Sequence, residues 1–158
     1  MLNSENKLYY RKGRSEATFT VKSKKMKKDL SVFGIIPRKT ATITMPQLKE
    51  DLMPHLIRGM IDGDGWISHK SHQIGFCGNE RTVTMLRDYL IKTLNVYNVK
   101  VIHSEENLWQ VTWASQIDIE KIGNYIYTNK DKFYLKRKYE NFLIIQGNTE
   151  ITNQITQG

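Results

Sequence analysis

Cysteine is nearly absent from this chain of 158 residues: Cys77 stands alone, so no intramolecular disulfide can form and a reducing compartment is the default expectation. Cys77 itself reads as a small buried hydrophobe in a strand. Proline occurs only at 37, 46 and 54, where it breaks or opens elements. No apolar run approaches the roughly 20 residues that span a bilayer. The opening Met1-Leu-Asn-Ser-Glu-Asn6 lacks a signal-peptide pattern, so a cytoplasmic protein without a membrane partner is expected. Acids are outnumbered as well, 16 against 24 lysines and arginines, which leaves a net charge of +8 and points to a polyanionic partner. That excess is uneven: residues 1–49 carry twelve basic and three acidic residues, the remainder twelve and thirteen. The length allows one domain with a real core and leaves no room for a second catalytic domain.

The sharpest local signal is Leu52-Met-Pro-His-Leu-Ile-Arg-Gly-Met-Ile-Asp-Gly-Asp-Gly65. Pro54 suits a first helical turn, and the Asp-Gly-Asp-Gly stretch reads as the turn that closes the helix, with glycine free to take a left-handed cap. Asp51, His55, Arg58 and Asp62 fall at three- and four-residue spacing and form one polar stripe. Leu52, Leu56, Met60, Met53, Ile57 and Ile61 cover the rest, and Gly59 and Gly63 share a face that a second helix could approach closely. Such a helix expects burial on nearly all sides. Asp62 and Asp64 sit at the negative end of the helix dipole, where a design for stability alone would place lysine. An Asp-Gly turn that merely tolerates its geometry is one reading. A calcium loop is not, because loop positions 5 and 12 counted from Asp62 are Trp66 and Gln73.

Ile57-Arg-Gly-Met-Ile-Asp-Gly-Asp-Gly65 resembles the LAGLIDADG motif of homing endonucleases, with seven of nine positions identical or conservative. Arg58 replaces the usual small second residue, as in second copies of the motif, and Gly34-Ile-Ile-Pro-Arg-Lys-Thr40 resembles the segment that leads into a second copy.

The order of elements agrees with that resemblance. Residues 1–16 read as a loose hairpin or a frayed start. Ala17–Val21 is a strand, and Ser23 caps a helix from Lys24 to Phe33 with Met26, Leu30 and Phe33 as its buried face. Ala41–Thr44 is extended. After the central helix, Trp66–Lys70 and Gln73–Cys77 form a hairpin around Ser71-His72, with Ile67, Ile74 and Phe76 on one face and Trp66, Ser68, Lys70, Gln73, Gly75 and Cys77 on the other. Asn79 caps a helix from Glu80 to Leu94. Val99–His103 and Leu108–Trp113 form a second hairpin across residues 104–107; Trp109, Val111 and Trp113 face inward, while Gln110, Thr112 and Lys100 face outward. Helices follow over Gln116–Thr128 and Lys132–Ile145, the latter carrying Phe133, Leu135, Tyr139 and Phe142. The expected fold class is α+β, helix-hairpin-helix-hairpin-helix with a four-stranded antiparallel sheet. Its parts are a basic segment over 1–48, a domain over 49–145 and a disordered tail over 146–158. The front segment is either a partial first copy, echoed in Phe19–Ser23 and Phe76–Asn79, or an unrelated extension.

What the resemblance implies is a site-specific, metal-dependent endonuclease for double-stranded DNA that serves the mobility of an intron or intein, with its sheet saddled over the duplex. The last acid of the motif, Asp64, and the carbonyl of Gly63 would hold Mg²⁺, with Mn²⁺ as a substitute; Asp62 would fasten the helix end. The family adds a lysine and a further polar residue around the metals. The matching places fall at Gly75 or Cys77 and at Ser115 or Gln116, which makes Gln116 the second catalytic candidate. No lysine stands there, and Lys70 and Lys100 are the substitutes. Two motif helices pack in the family, so Leu56, Gly59, Met60 and Gly63 are the expected interface of a homodimer or of a pairing with a separately encoded half. For DNA, Lys70, Gln73, Lys100, Gln110 and Thr112 suit base edges, while the run from Lys22 and Lys24 to Lys28, with Lys136, Arg137 and Lys138, suits phosphates. The rival readings are a degenerate DNA-binding module, a maturase that assists RNA splicing, and an inert remnant of a two-copy gene.

Overall fold

A computed structural model describes residues 8–10, 12–13, 17–18, 20–34, 44–46, 48–130 and 133–147. The chain divides into two compact units, residues 1–38 and 39–158. In the first, β1 (Tyr9–Tyr10) pairs antiparallel with β2 (Ala17–Thr18), and α1 spans Lys24–Val32. The Ser23 side chain accepts a hydrogen bond from the Met26 N–H at 3.1 Å, the N-cap its position suggested. The strand expected over 17–21 is shorter, and its Phe19 lies outside the described residues, as do residues 41–43 of the next extended run. The apolar face expected on α1 is not buried: Leu30 is 36% and Phe33 50% exposed. Two-residue strands offer no side-chain layer with which to cover it.

The second unit is α+β. A 3₁₀ turn over Glu50–Leu52 leads into α2 (Met53–Asp64), followed by β3 (Gly65–Ser68), β4 (Gln73–Gly78), α3 (Glu80–Leu94), β5 (Ile102–Glu105), β6 (Leu108–Trp113), α4 (Gln116–Tyr127) and α5 (Lys136–Ile145). The two hairpins join through β4 and β6 into one antiparallel sheet of order β3-β4-β6-β5. Alternation along the strands puts Ile67, Ile74, Phe76, Val111 and Trp113 on the inner face, where they meet Ile57 and Ile61 of α2, Val83, Leu86 and Leu90 of α3, and Ile119, Ile122 and Ile126 of α4. Each such side chain contributes about 1.5–3 kcal/mol by leaving water. Gly123 lets α4 approach α5, because a Cβ there would run into the Phe142 ring. Among the described residues no helix is long and apolar enough to cross a membrane.

Several boundaries differ from expectation, each for a local reason. The core of this unit takes in Met45, which is buried, so the unit reaches further forward than residue 49. Asp62, Gly63 and Asp64 are not a turn but the last residues of α2, and Gly65 continues directly into β3 with φ −106°. The glycine is needed for space rather than for a left-handed conformation: a Cβ at Gly65 would lie 2.5 Å from the Gly75 carbonyl oxygen. The first hairpin turns over residues 69–72, with His72 at φ +52°, which removes Lys70 from the strand. In the second hairpin β5 begins at Ile102 and turns through Glu106-Asn107, with Asn107 at φ +63°, so Lys100 precedes the sheet. α5 starts at Lys136, and Phe133, 65% exposed, belongs to the preceding loop instead of the helix's buried face. Of the tail expected over 146–158, Gln146 caps α5 and Gly147 takes φ +80°; residues 148–158 lie outside the described part.

Candidate functional site

Where α2 ends and β3 begins, several backbone carbonyls converge, and one side chain donates to three of them. Lys138, 2% exposed in the first turn of α5, donates from Nζ to the carbonyls of Ile61 at 2.6 Å, Asp62 at 2.9 Å and Gly65 at 2.6 Å. The ammonium also offsets the helix dipole and the two acids that close α2. Burial, with Arg137 beside it, pulls the Lys138 pKa below the usual lysine value, while Asp62, Asp64 and Cys77 act in the opposite direction. Three residues on, Asn141 donates to the Ile67 carbonyl at 2.7 Å and pairs through its carbonyl oxygen with His69. Gly65 and Ile67 are two apart on the edge strand β3, so α5 seals that free edge with Asn141 and with Lys138, which also anchors the end of α2.

Asp62 and Asp64 have different surroundings. The Asp62 carboxylate accepts from the Leu135 N–H at 2.9 Å and thereby caps α5, which is a fastening role. Asp64 is exposed, and its backbone carbonyl accepts the Cys77 thiol at 3.0 Å. Burial, then the Asp64 charge, pushes the Cys77 thiol above its usual pKa, so the thiol stays protonated and able to donate. Cys77 is thus half-buried beside Asp64 and not a core hydrophobe.

Arg58, at the position that departs from the motif, is 4% exposed. Its guanidinium donates to the Ile126 carbonyl at the end of α4 and to the Phe133 carbonyl, both at 2.8 Å, and meets His55 Nδ1 at 2.7 Å. A small residue there would leave both carbonyls unpaired. The polar stripe of α2 is therefore an internal clamp on α4 and the loop before α5.

Among the described residues, nothing covers the opposite side of α2 at its glycines. Gly59 and Gly63 are exposed, and a Cβ added to either would meet nothing within 4 Å. Leu52 is exposed beside them, with Leu56 and Met60 half-buried, so the burial expected on nearly all sides fails on this one face.

On the outer face of the sheet the register sets Gln73 level with Ser68, Thr112 with Gly75, and Gln110 with Cys77. Gln73, Gln110 and Thr112 are thus brought together as expected. Lys70 sits at a loop tip and Lys100 before β5, both exposed but off that face; Lys136 and Arg137 are exposed at the start of α5, and Lys22 and Lys24 are exposed in the first unit. Ile102, opposite Gln110, makes the outer face less polar than the pattern suggested.

Gln116 is not gathered with Asp64. Its side-chain amide donates to Glu120 and to the Ile145 carbonyl at 3.0 Å, at the far end of α5 from Lys138. Lys138, expected with Lys136 and Arg137 to meet phosphates, is instead buried on backbone carbonyls; it falls four and seven residues before Phe142 and Ile145 on the buried stripe of α5, where a lysine must find partners inside the protein. Among the described residues no three His, Cys, Asp or Glu side chains cluster to hold a metal ion. No protein-family model, curated protein or solved structure matches the chain.

Proposed function

We propose that the chain is a LAGLIDADG-type homing endonuclease subunit that cuts double-stranded DNA at a specific site with Mg²⁺, or Mn²⁺ in its place, as a homodimer or with a separately encoded half. One observation carries the reading: α2 turns an open glycine face outward and ends in an exposed carboxylate, Asp64, beside a sheet whose outer face holds Gln73, Gln110 and Thr112. Asp64 offers a hard oxygen donor suited to Mg²⁺, but one such carboxylate does not complete a phosphodiester-cleaving centre. A second copy packed across Gly59 and Gly63 would bring a second Asp64 to the same place, and the open space over both glycines fits so close a helix pair. When bound, the ion supplies neutralisation of developing phosphate charge and activation of the attacking water.

The chain's own residues do the remaining work. Asp64 and the Gly63 carbonyl would hold the ion, while Lys138 keeps the preceding turn of α2 from fraying and so fixes where Asp64 points. Lys22, Lys24, Lys136 and Arg137 meet phosphates, and the sheet face meets base edges. A second reading, a DNA-binding module or splicing maturase that does not cut, is favoured by the commitment of Gln116 and Lys138 to backbone carbonyls, which leaves neither side chain free to face a substrate.

The test is Asp64→Asn against a duplex selected from a randomised library in the presence of Mg²⁺. Cleavage should vanish while binding is unchanged or tighter, since a negative charge facing phosphate is removed. A wild type that selects a site yet never cuts it, in Mg²⁺ or Mn²⁺, replaces the nuclease with the binding module. An Asn variant that cuts normally makes Asp64 only a helix-end residue.

A further inference from the structure

We propose that Trp66 is a specificity-determining residue that reads the 5-methyl group of a thymine close to the cleaved bond; this rests on the DNA-cleavage reading above. Strand alternation sends Trp66 to the outer face of the sheet, in one row with Gly75 and Thr112, between the row of Ser68 and Gln73 and the row of Cys77 and Gln110. A Cβ at Gly75 would collide with Trp66 Cζ2 and lie 2.6 Å from Cε2. The indole therefore lies over β4 in the slot left by the missing side chain, half-buried, with the sheet beneath it. It is an apolar plate set among side chains able to donate and accept hydrogen bonds.

In the major groove the thymine methyl is the one apolar group that a base pair presents. Gln73, Gln110 and Thr112 can pair with polar base edges, but the face of an indole makes no such bond and gains only by covering something apolar. Trp66 lies two residues beyond Asp64, within about 7 Å along an extended strand, which puts the base it covers next to the metal-binding end of α2. Gln73, Gln110 and Thr112 around the indole carry no negative charge to repel phosphate and offer the hydrogen-bonding groups that base edges need, which favours nucleic acid at this face.

The experiment uses the full chain and its library-selected duplex, with each thymine replaced in turn by deoxyuridine, which keeps every hydrogen-bonding group and removes the methyl. At one position near the cut in each half-site, binding should weaken about fourfold, the worth of one buried methyl group. Trp66→Phe, which keeps an apolar ring, should retain that sensitivity. Trp66→Gln should lose it at that position alone and prefer adenine there, because a glutamine amide pairs with the adenine edge. Wild type that tolerates uracil at every position overturns the role of Trp66 and leaves the nuclease reading standing. A chain that selects no duplex at all overturns both.

Discussion

Lys138 occupies a position on α5 where the helical period calls for an apolar side chain, and its three short bonds to carbonyls of α2 and β3 explain why a cation is kept there. Lys138→Met fits the space but leaves those carbonyls without the donor. Urea unfolding should show a loss of about 3 kcal/mol, and a loss under about 1 kcal/mol would mean that water replaces the ammonium at little cost. Tyr127 presents the opposite case. It is 6% exposed, and neither its hydroxyl nor the buried Asp62 Oδ1 has a hydrogen-bond partner among the described residues. Burial, with the Asp62 charge second, raises the Tyr127 pKa above its ordinary 10.0. In the unfolded chain this phenol loses its proton near pH 10 while in the folded chain it keeps it, so the unfolded state binds fewer protons and stability falls as pH rises above about 10. Tyr127→Phe removes that part of the alkaline decline and, by deleting an unpaired hydroxyl, should leave stability below pH 10 unchanged or raise it by up to about 1 kcal/mol. Melts of both proteins from pH 8 to 11 decide it; parallel alkaline limbs would refute the assignment to Tyr127.

At the scale of elements, α2 has a polar clamp on one side and two exposed glycines on another. The Arg58 side is consumed by α4 and the loop before α5, while among the described residues no atom lies within 4 Å of a Cβ built at Gly59 or Gly63. Gly59→Leu therefore separates folding from association. Since no atom lies within 4 Å of the added Cβ, the monomer should be as stable as wild type or up to about 1 kcal/mol more so, glycine being a poor helix former. Two such helices could no longer approach, and sedimentation should show monomers at concentrations where wild type pairs. Pairing that survives the leucine would place the interface elsewhere.

At the scale of the molecule, charge is distributed by segment. The front forty-nine residues carry all of the positive excess, the remainder having one more acid than base, and the lysines of α1 are exposed, with Lys25 paired to Asp29 at 2.7 Å on the surface. If these lysines meet phosphates, log affinity for duplex DNA falls linearly with log salt at about −0.9 per phosphate neutralised. Changing Lys24, Lys25, Lys27 and Lys28 to Gln should flatten that slope by about 0.9 for every phosphate that is no longer neutralised, with little change in sequence preference. An unchanged slope would show that the front unit does not touch the backbone.

What the sequence by itself determined is what depends on short-range pattern: α3 with its Asn79 cap, β6 to the residue, the alternating faces of β4 and β6, and the isoleucine stripe of α4 all follow from periodicity and capping chemistry that act within a few residues. The Ile57–Gly65 stretch was legible as a helix end bearing two acids for the same reason. Tertiary structure alone decided which of those acids is spent and which is offered, because the difference between Asp62 and Asp64 is made by Leu135, seventy-three residues from Asp62. It decided equally that Gln116 serves the end of α5, that Lys138 serves the end of α2, and that Gly75 is vacant so that Trp66 can lie across it. A buried cation or a missing Cβ is satisfied by whatever backbone the fold brings within about 3 Å, and no local pattern records which backbone that will be.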